Sequence, residues 1–113
     1  MTAVTRSARL RPLRAVALTS TQLRLVRQVL DTVLPGARVA VFGSRATGHA
    51  RPHSDLDLLL IDPPRLGCAQ RADLRDAFEA SDLPFTVDLV EAAGLSSGMA
   101  QRVWLEATPL PAA

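Results

Sequence analysis

Phe42-Gly43-Ser44-Arg45-Ala46-Thr47-Gly48, followed after a short loop by Ser54-Asp55-Leu56-Asp57-Leu58, decides the fold of this 113-residue chain. The residues leading in, Arg38 to Phe42, are apolar on both faces and predict a buried strand. That strand breaks at Gly43 into a tight turn or short helical start reaching Gly48. Such a break exposes backbone N–H groups, a setting suited to anions. Ser44 adds a hydroxyl donor, and Arg45 adds a guanidinium suited to phosphate oxygens. The G-x-x-x-x-G spacing is that of a Walker A loop, but His49-Ala50 stand where Lys-Ser/Thr is required, which rejects a P-loop.

The second half of the stretch carries acids. Asp55 and Asp57 lie two apart on a strand expected over Asp55 to Ile61, so both leave the same face. Leu56, Leu58 and Leu60 leave the opposite face and anchor the strand. A third strand, Phe85 to Val90, holds Asp88 among apolar neighbours. An acid inside a short apolar strand is costly unless something compensates it. Three carboxylates on one sheet face repel one another unless a cation lies between them. Oxygen-only ligands suit Mg²⁺ or Mn²⁺. The alternative is that each acid caps a turn or pairs with an arginine, and for a lone Asp-x-Asp that alternative is the better one.

Working outward, Thr19-Ser20-Thr21-Gln22 fits a capping box, with Leu18 and Leu23 placed for a hydrophobic staple. Leu23, Val26, Leu30 and Val33 recur at helical spacing until Pro35-Gly36 stops the helix. Gly67 to Ala80 suits a second helix with Leu74, Ala77 and Phe78 inward, and Ser96 to Ala107 a last one with Met99, Val103 and Trp104 inward. The order α-β-β-α-β-α predicts one small α/β domain with a three-stranded mixed sheet. Residues 1–17 are expected as a basic arm, 18–110 as the domain and 111–113 as a tail.

Composition narrows the class. This length makes at most one ordinary domain, and 48% hydrophobic with 21% charged residues describes a globular chain. The longest apolar run, Leu56 to Ile61, is interrupted by Asp57, so no membrane span is expected. A single cysteine, Cys68, forms no internal disulfide, and the cytoplasm is the expected compartment. Residues 1–30 hold six arginines and no acid, while the remainder holds seven arginines against eleven acids. No aromatic accompanies the basic start, so a solvated terminus is favoured over a nucleic-acid surface. His49 and His53 read as exposed loop residues, Cys68 as a small buried one, and Arg71 with Arg75 as a solvated helix face.

Taken together, the Gly-Ser turn, the Ser54-Asp55-Leu56-Asp57-Leu58 strand and Val87-Asp88-Leu89 resemble the minimal nucleotidyltransferases of the DNA polymerase beta superfamily. The resemblance runs from about Leu18 to Leu110. It implies a polymerase-beta-like core in which Gly43 and Ser44 contact a nucleotide triphosphate, with Arg45 a further phosphate contact. It implies that Asp55, Asp57 and Asp88 hold two Mg²⁺ ions (Mn²⁺ being possible) and carry catalysis, Asp88 also being placed to accept the hydroxyl proton. Thr47 departs from the family, which often has arginine there.

The implied reaction moves AMP from ATP to an acceptor hydroxyl. Relatives that modify small molecules carry an added helical domain, so the acceptor is expected on another protein. Stand-alone members resemble antitoxins of HEPN-domain ribonuclease toxins, some of which add AMP to a tyrosine of the toxin. The competing expectation is a non-catalytic module that neutralises a HEPN partner by occlusion.

Overall fold

The computed structural model describes residues 16–113, and the elements follow the expected order with additions. Helix α1 spans Ser20–Val33, strand β1 Arg38–Phe42, the short helix α2 Ser44–Thr47, and β2 Leu56–Asp62. Helix α3 spans Cys68–Glu79, β3 Val87–Glu91, a 3₁₀ turn Ala92–Gly94, α4 Ser97–Glu106, and β4 Thr108–Pro109. The sheet therefore has four strands, in the order β3-β2-β1-β4, where three were expected. The added strand is two residues long and contains a proline, so it carries no alternation that a pattern could register. The mixed character holds: β1 pairs antiparallel with β2 and β4, and β2 pairs parallel with β3.

Helix α1 begins as its sequence dictates. The Thr19 hydroxyl accepts from the Gln22 amide at 3.1 Å, and the Gln22 side chain accepts from the Thr19 amide at 3.0 Å. Leu18 and Leu23 flank that cap and pack against the same core. The basic arm expected over 1–17 lies outside the described residues as far as residue 15. Val16 packs against the core and the Ala17 amide bonds the Arg45 carbonyl at 2.8 Å, so the packed body reaches back before Leu18.

Both faces of the sheet are covered. Val39 and Val41 of β1 and Leu56, Leu58 and Leu60 of β2 meet Val26 and Leu30 of α1 and Leu74 and Phe78 of α3. On the other face, Ala40, Phe42 and Leu59 meet Val103 of α4. The two-faced apolar reading of β1 is thus explained by a helix layer on each side.

Helix α4 turns differently from expectation. Val103 is inward, but Trp104 and Met99 are 48% and 44% exposed. A ten-residue helix over one edge of a sheet buries only a narrow stripe, and Val103 fills it. Cys68 is also exposed, because it opens α3 at the surface.

Candidate active site

The β2–β3 register sets the geometry. Asp57 and Asp88 are paired positions on neighbouring parallel strands, so both carboxylates leave the face that carries α4. Asp55 precedes β2, whose first residue, Leu56, is tied by its amide to the Thr86 carbonyl at 2.9 Å. Asp55 and Asp88 are exposed and Asp57 is half-buried.

Electrostatics singles out Asp57. Burial, then the charges of Asp88, Asp55 and Glu106, push its pKa from 3.8 to about 6, with Arg102 acting in the opposite sense. Carboxylates are crowded there more than solvent relieves.

Gly43 closes the site from β1. Its φ of 75° and ψ of −157° lie in a region open essentially to glycine alone. A Cβ at Gly43 would overlap Asp57 Oδ2, so the glycine also makes room for the acid. The turn it opens is held by the Gly43 carbonyl, which accepts from the Ala46 and Thr47 amides and from the Thr47 hydroxyl at 3.1 Å. Thr47 therefore serves the turn itself. Its hydroxyl also meets His49 Nδ1, and both His49 and His53 are exposed as expected.

Phe42, Gly43, Asp57 and Asp88 line a cleft of about 350 Å³ whose opposite wall is Met99, Arg102 and Glu106 of α4. Ser44 and Asp55 stand beside this cleft rather than in its lining. Asp88 also borders a second cleft of about 430 Å³ beyond β3, floored by Phe78 and Phe85 and rimmed by Arg71 and Arg75. The smaller cleft gathers two of the three acids and Gly43.

Arg45 corrects the expectation of a phosphate contact. It is 4% exposed, and its guanidinium lies 4.1 Å from the Phe85 ring centroid. Its donors go to the carbonyls of Ala17 (2.6 Å), Ser54 (3.0 Å), Pro52 (3.1 Å) and Arg51 (3.3 Å). Burial lowers its pKa from the ordinary value. The side chain fastens the loop that delivers Asp55, with four of its five N–H donors committed to backbone carbonyls. Arg71 and Arg75 lie on a solvated face as expected, the Arg71 side chain being 42% exposed, and Arg71 also donates to Glu91 at 2.7 Å and to the Leu66 carbonyl at 3.1 Å. Its hydrogen bond, followed by that of the Leu66 amide, holds the Glu91 carboxyl below its usual range.

Sequence reasoning missed Glu106 and Arg102. Glu106 Oε1 accepts a hydrogen bond from the Gly43 amide at 3.0 Å, across 63 residues of chain. No spacing rule links the two positions. The one available signal was the i, i+4 placement of Arg102 and Glu106 on a helix.

The donor set suits a hard divalent cation in kind, being all carboxylate and mutually repulsive. Among the described residues, no three His, Cys, Asp or Glu side chains are gathered closely enough to hold a metal ion as they stand. No helix of the described residues is long and apolar enough to cross a membrane.

Known proteins resemble this chain in sequence and in fold. The family described as "Nucleotidyltransferase domain" matches residues 23–111. The chain is 42% identical over 72 residues to "Probable protein adenylyltransferase MntA" of Haemophilus influenzae, covering 64% of this chain and 63% of that protein. It therefore spans a little under two-thirds of that relative's length. Among solved structures, a chain of a toxin–antitoxin crystallised with AMP-PNP superposes at a TM-score of 0.64 and 25% identity, over 80% of this chain and 73% of that one. A chain from a mutant MntA-HpeT toxin–antitoxin superposes at 0.63 and 23% identity with the same coverage, a likeness of fold.

Proposed function

The chain belongs to the nucleotidyltransferase-domain family, and we propose that it transfers AMP from ATP to a hydroxyl of a partner protein, with pyrophosphate released as the bond between the α- and β-phosphates breaks, acting as the antitoxin of a HEPN-domain toxin. The observation that carries this reading is one cleft in which Gly43, Asp57 and Asp88 meet under α4. The relative named as a protein adenylyltransferase and the toxin–antitoxin structure with AMP-PNP, an ATP analogue, support the substrate and the kind of partner.

In this reading Asp55, Asp57 and Asp88 hold the divalent cations, Mg²⁺ or Mn²⁺. Those ions, when bound, supply charge neutralisation at the α-phosphate and a lowered pKa for the attacking hydroxyl. The chain's own residues do the rest by position. Gly43 lets the backbone approach the triphosphate, Ser44 offers its hydroxyl beside it, and Asp88 accepts the acceptor's proton. The acceptor hydroxyl is that of a tyrosine. Arg45 serves this reading as scaffold, holding the loop before Asp55.

A second reading, a non-catalytic module that silences the toxin by covering it, is favoured by one observation: Glu106 already sits on the Gly43 amide. Intact-mass spectrometry of the toxin separates the two. Incubation with this chain, ATP and Mg²⁺ is expected to add ~329 Da, one AMP, and the toxin then stays silent after the chain is removed. The paired substitution Asp55→Asn with Asp57→Asn abolishes the adduct. Absence of any adduct with all four nucleoside triphosphates, with full protection by the double variant, refutes the transferase reading.

A further inference from the structure

We propose that Glu106 is a resident occupant of the nucleotide cleft: it holds the Gly43 amide while the cleft is free of nucleotide and has to release it for a triphosphate to enter. The inference rests on the nucleotide reading above and adds to it a residue that gates the same site.

Glu106 stands in an unfavourable place. It is the last residue of α4, where the exposed carbonyl end of a helix disfavours negative charge. It also adds a third carboxylate to a cleft already lined by Asp57 and Asp88, and it is one of the charges acting on Asp57. The compensating contact is the charge-assisted hydrogen bond from the Gly43 amide at 3.0 Å. That donor is the backbone group which the glycine conformation turns toward the cleft, and a phosphate oxygen would take it in the same way. A bound triphosphate and the Glu106 carboxylate thus compete for one N–H and repel each other across the same cleft.

Exchange needs no movement of the fold. Val103, fully buried, pins α4 to the sheet, so release is a rotation of the Glu106 side chain. Arg102 lies one helical turn back and lines the same cleft, placed to receive the released carboxylate.

The test is ATP binding in EDTA, followed by calorimetry, for the wild type, Glu106→Gln and Glu106→Ala. Both variants are expected to bind ATP about tenfold more tightly at low salt, with a smaller gain at high salt, because a competing charged hydrogen bond and a like charge are removed. Adenosine, which has no phosphate, is expected to bind all three equally. ATP affinity unchanged or weakened in both folded variants overturns the inference.

A measurement on the wild type stands apart from variant folding. In a tripolyphosphate titration followed by NMR, the Glu106 side-chain carboxylate and Gly43 amide signals are expected to shift together. Gly43 moving while Glu106 stays still overturns the proposal. If the wild type binds ATP and the variants match it, this inference alone falls. If no triphosphate binds any form, with or without Mg²⁺, the nucleotide reading falls and takes this inference with it.

Discussion

Replacing Asp57 by Asn should stabilise the metal-free protein at neutral pH. The carboxyl titrates at about 6 in the fold against 3.8 ordinarily, so the fold disfavours its charged form. A raised carboxyl pKa adds no penalty below about pH 3.8, where both states are protonated. Stability is lost as pH rises from there through about 6, and the loss is complete above it. The shift alone corresponds to roughly 3 kcal/mol, at about 1.4 kcal/mol per pKa unit. Asp57 is only half-buried, and solvent screening reduces this to about 1–2 kcal/mol. Asparagine keeps the shape and removes the charge, so the variant recovers that amount. In a domain of this size, each kcal/mol moves the melting temperature by about 4 °C. The assay is thermal and urea unfolding in EDTA between pH 4 and pH 7.5. The variant and wild type should be nearly equal at pH 4, diverge between there and about pH 6, and differ by a constant amount above it, the variant being the more stable. A pH-independent difference, or a wild type more stable at pH 7.5, would refute the reasoning. Mg²⁺ should then raise the wild-type melting temperature and leave the variant's nearly unmoved, since only a ligand bound to the folded state stabilises it.

Gly43→Ala should lower stability by about 1–3 kcal/mol in chemical denaturation, because alanine at that φ and ψ is strained and its Cβ displaces the Asp57 carboxylate. Arg45→Met should destabilise by about 3 kcal/mol or more, since four carbonyls lose a charged donor, and Arg45→Lys should recover little of it. ATP affinity per folded Arg45→Lys molecule, read by calorimetry, should match wild type, and a specific loss would return Arg45 to the nucleotide. Thr108→Val should raise stability by about 1 kcal/mol in urea melts, because the Thr108 hydroxyl, on a residue 3% exposed, has no hydrogen-bond partner among the described residues.

The local signals in the chain were faithful. The Thr19 capping box, the two-faced strand Arg38–Phe42 and the opposed faces of Asp57 and Leu56 follow from spacing of a few residues, and the fold keeps them. Arg45 misled because a guanidinium beside a glycine turn has the same sequence signature whether it faces an anion or an interior lined with carbonyls. Phe85 and the carbonyls that capture it come from three separate segments. Glu106 was invisible for a related reason: its partner is a backbone amide, which has no letter of its own. Trp104 was misplaced because large apolar residues are expected inward, whereas α4 covers only one edge of its face of the sheet.

The sheet order has a consequence for motion. Asp57 rides on an inner strand bonded on both sides, while Asp88 rides on β3, the sheet's margin, bonded on one side only. Marginal strands open locally with a smaller free energy than central ones, and here the two acids push apart across the single seam that holds β3. The carboxylate pair therefore has one long-lived member and one transient member. Amide exchange should find Val87–Glu91 opening more often than Arg38–Phe42. Whatever bridges the acids, a cation above all, acts as a rivet across that seam, so that assembling the site and closing the sheet become one event.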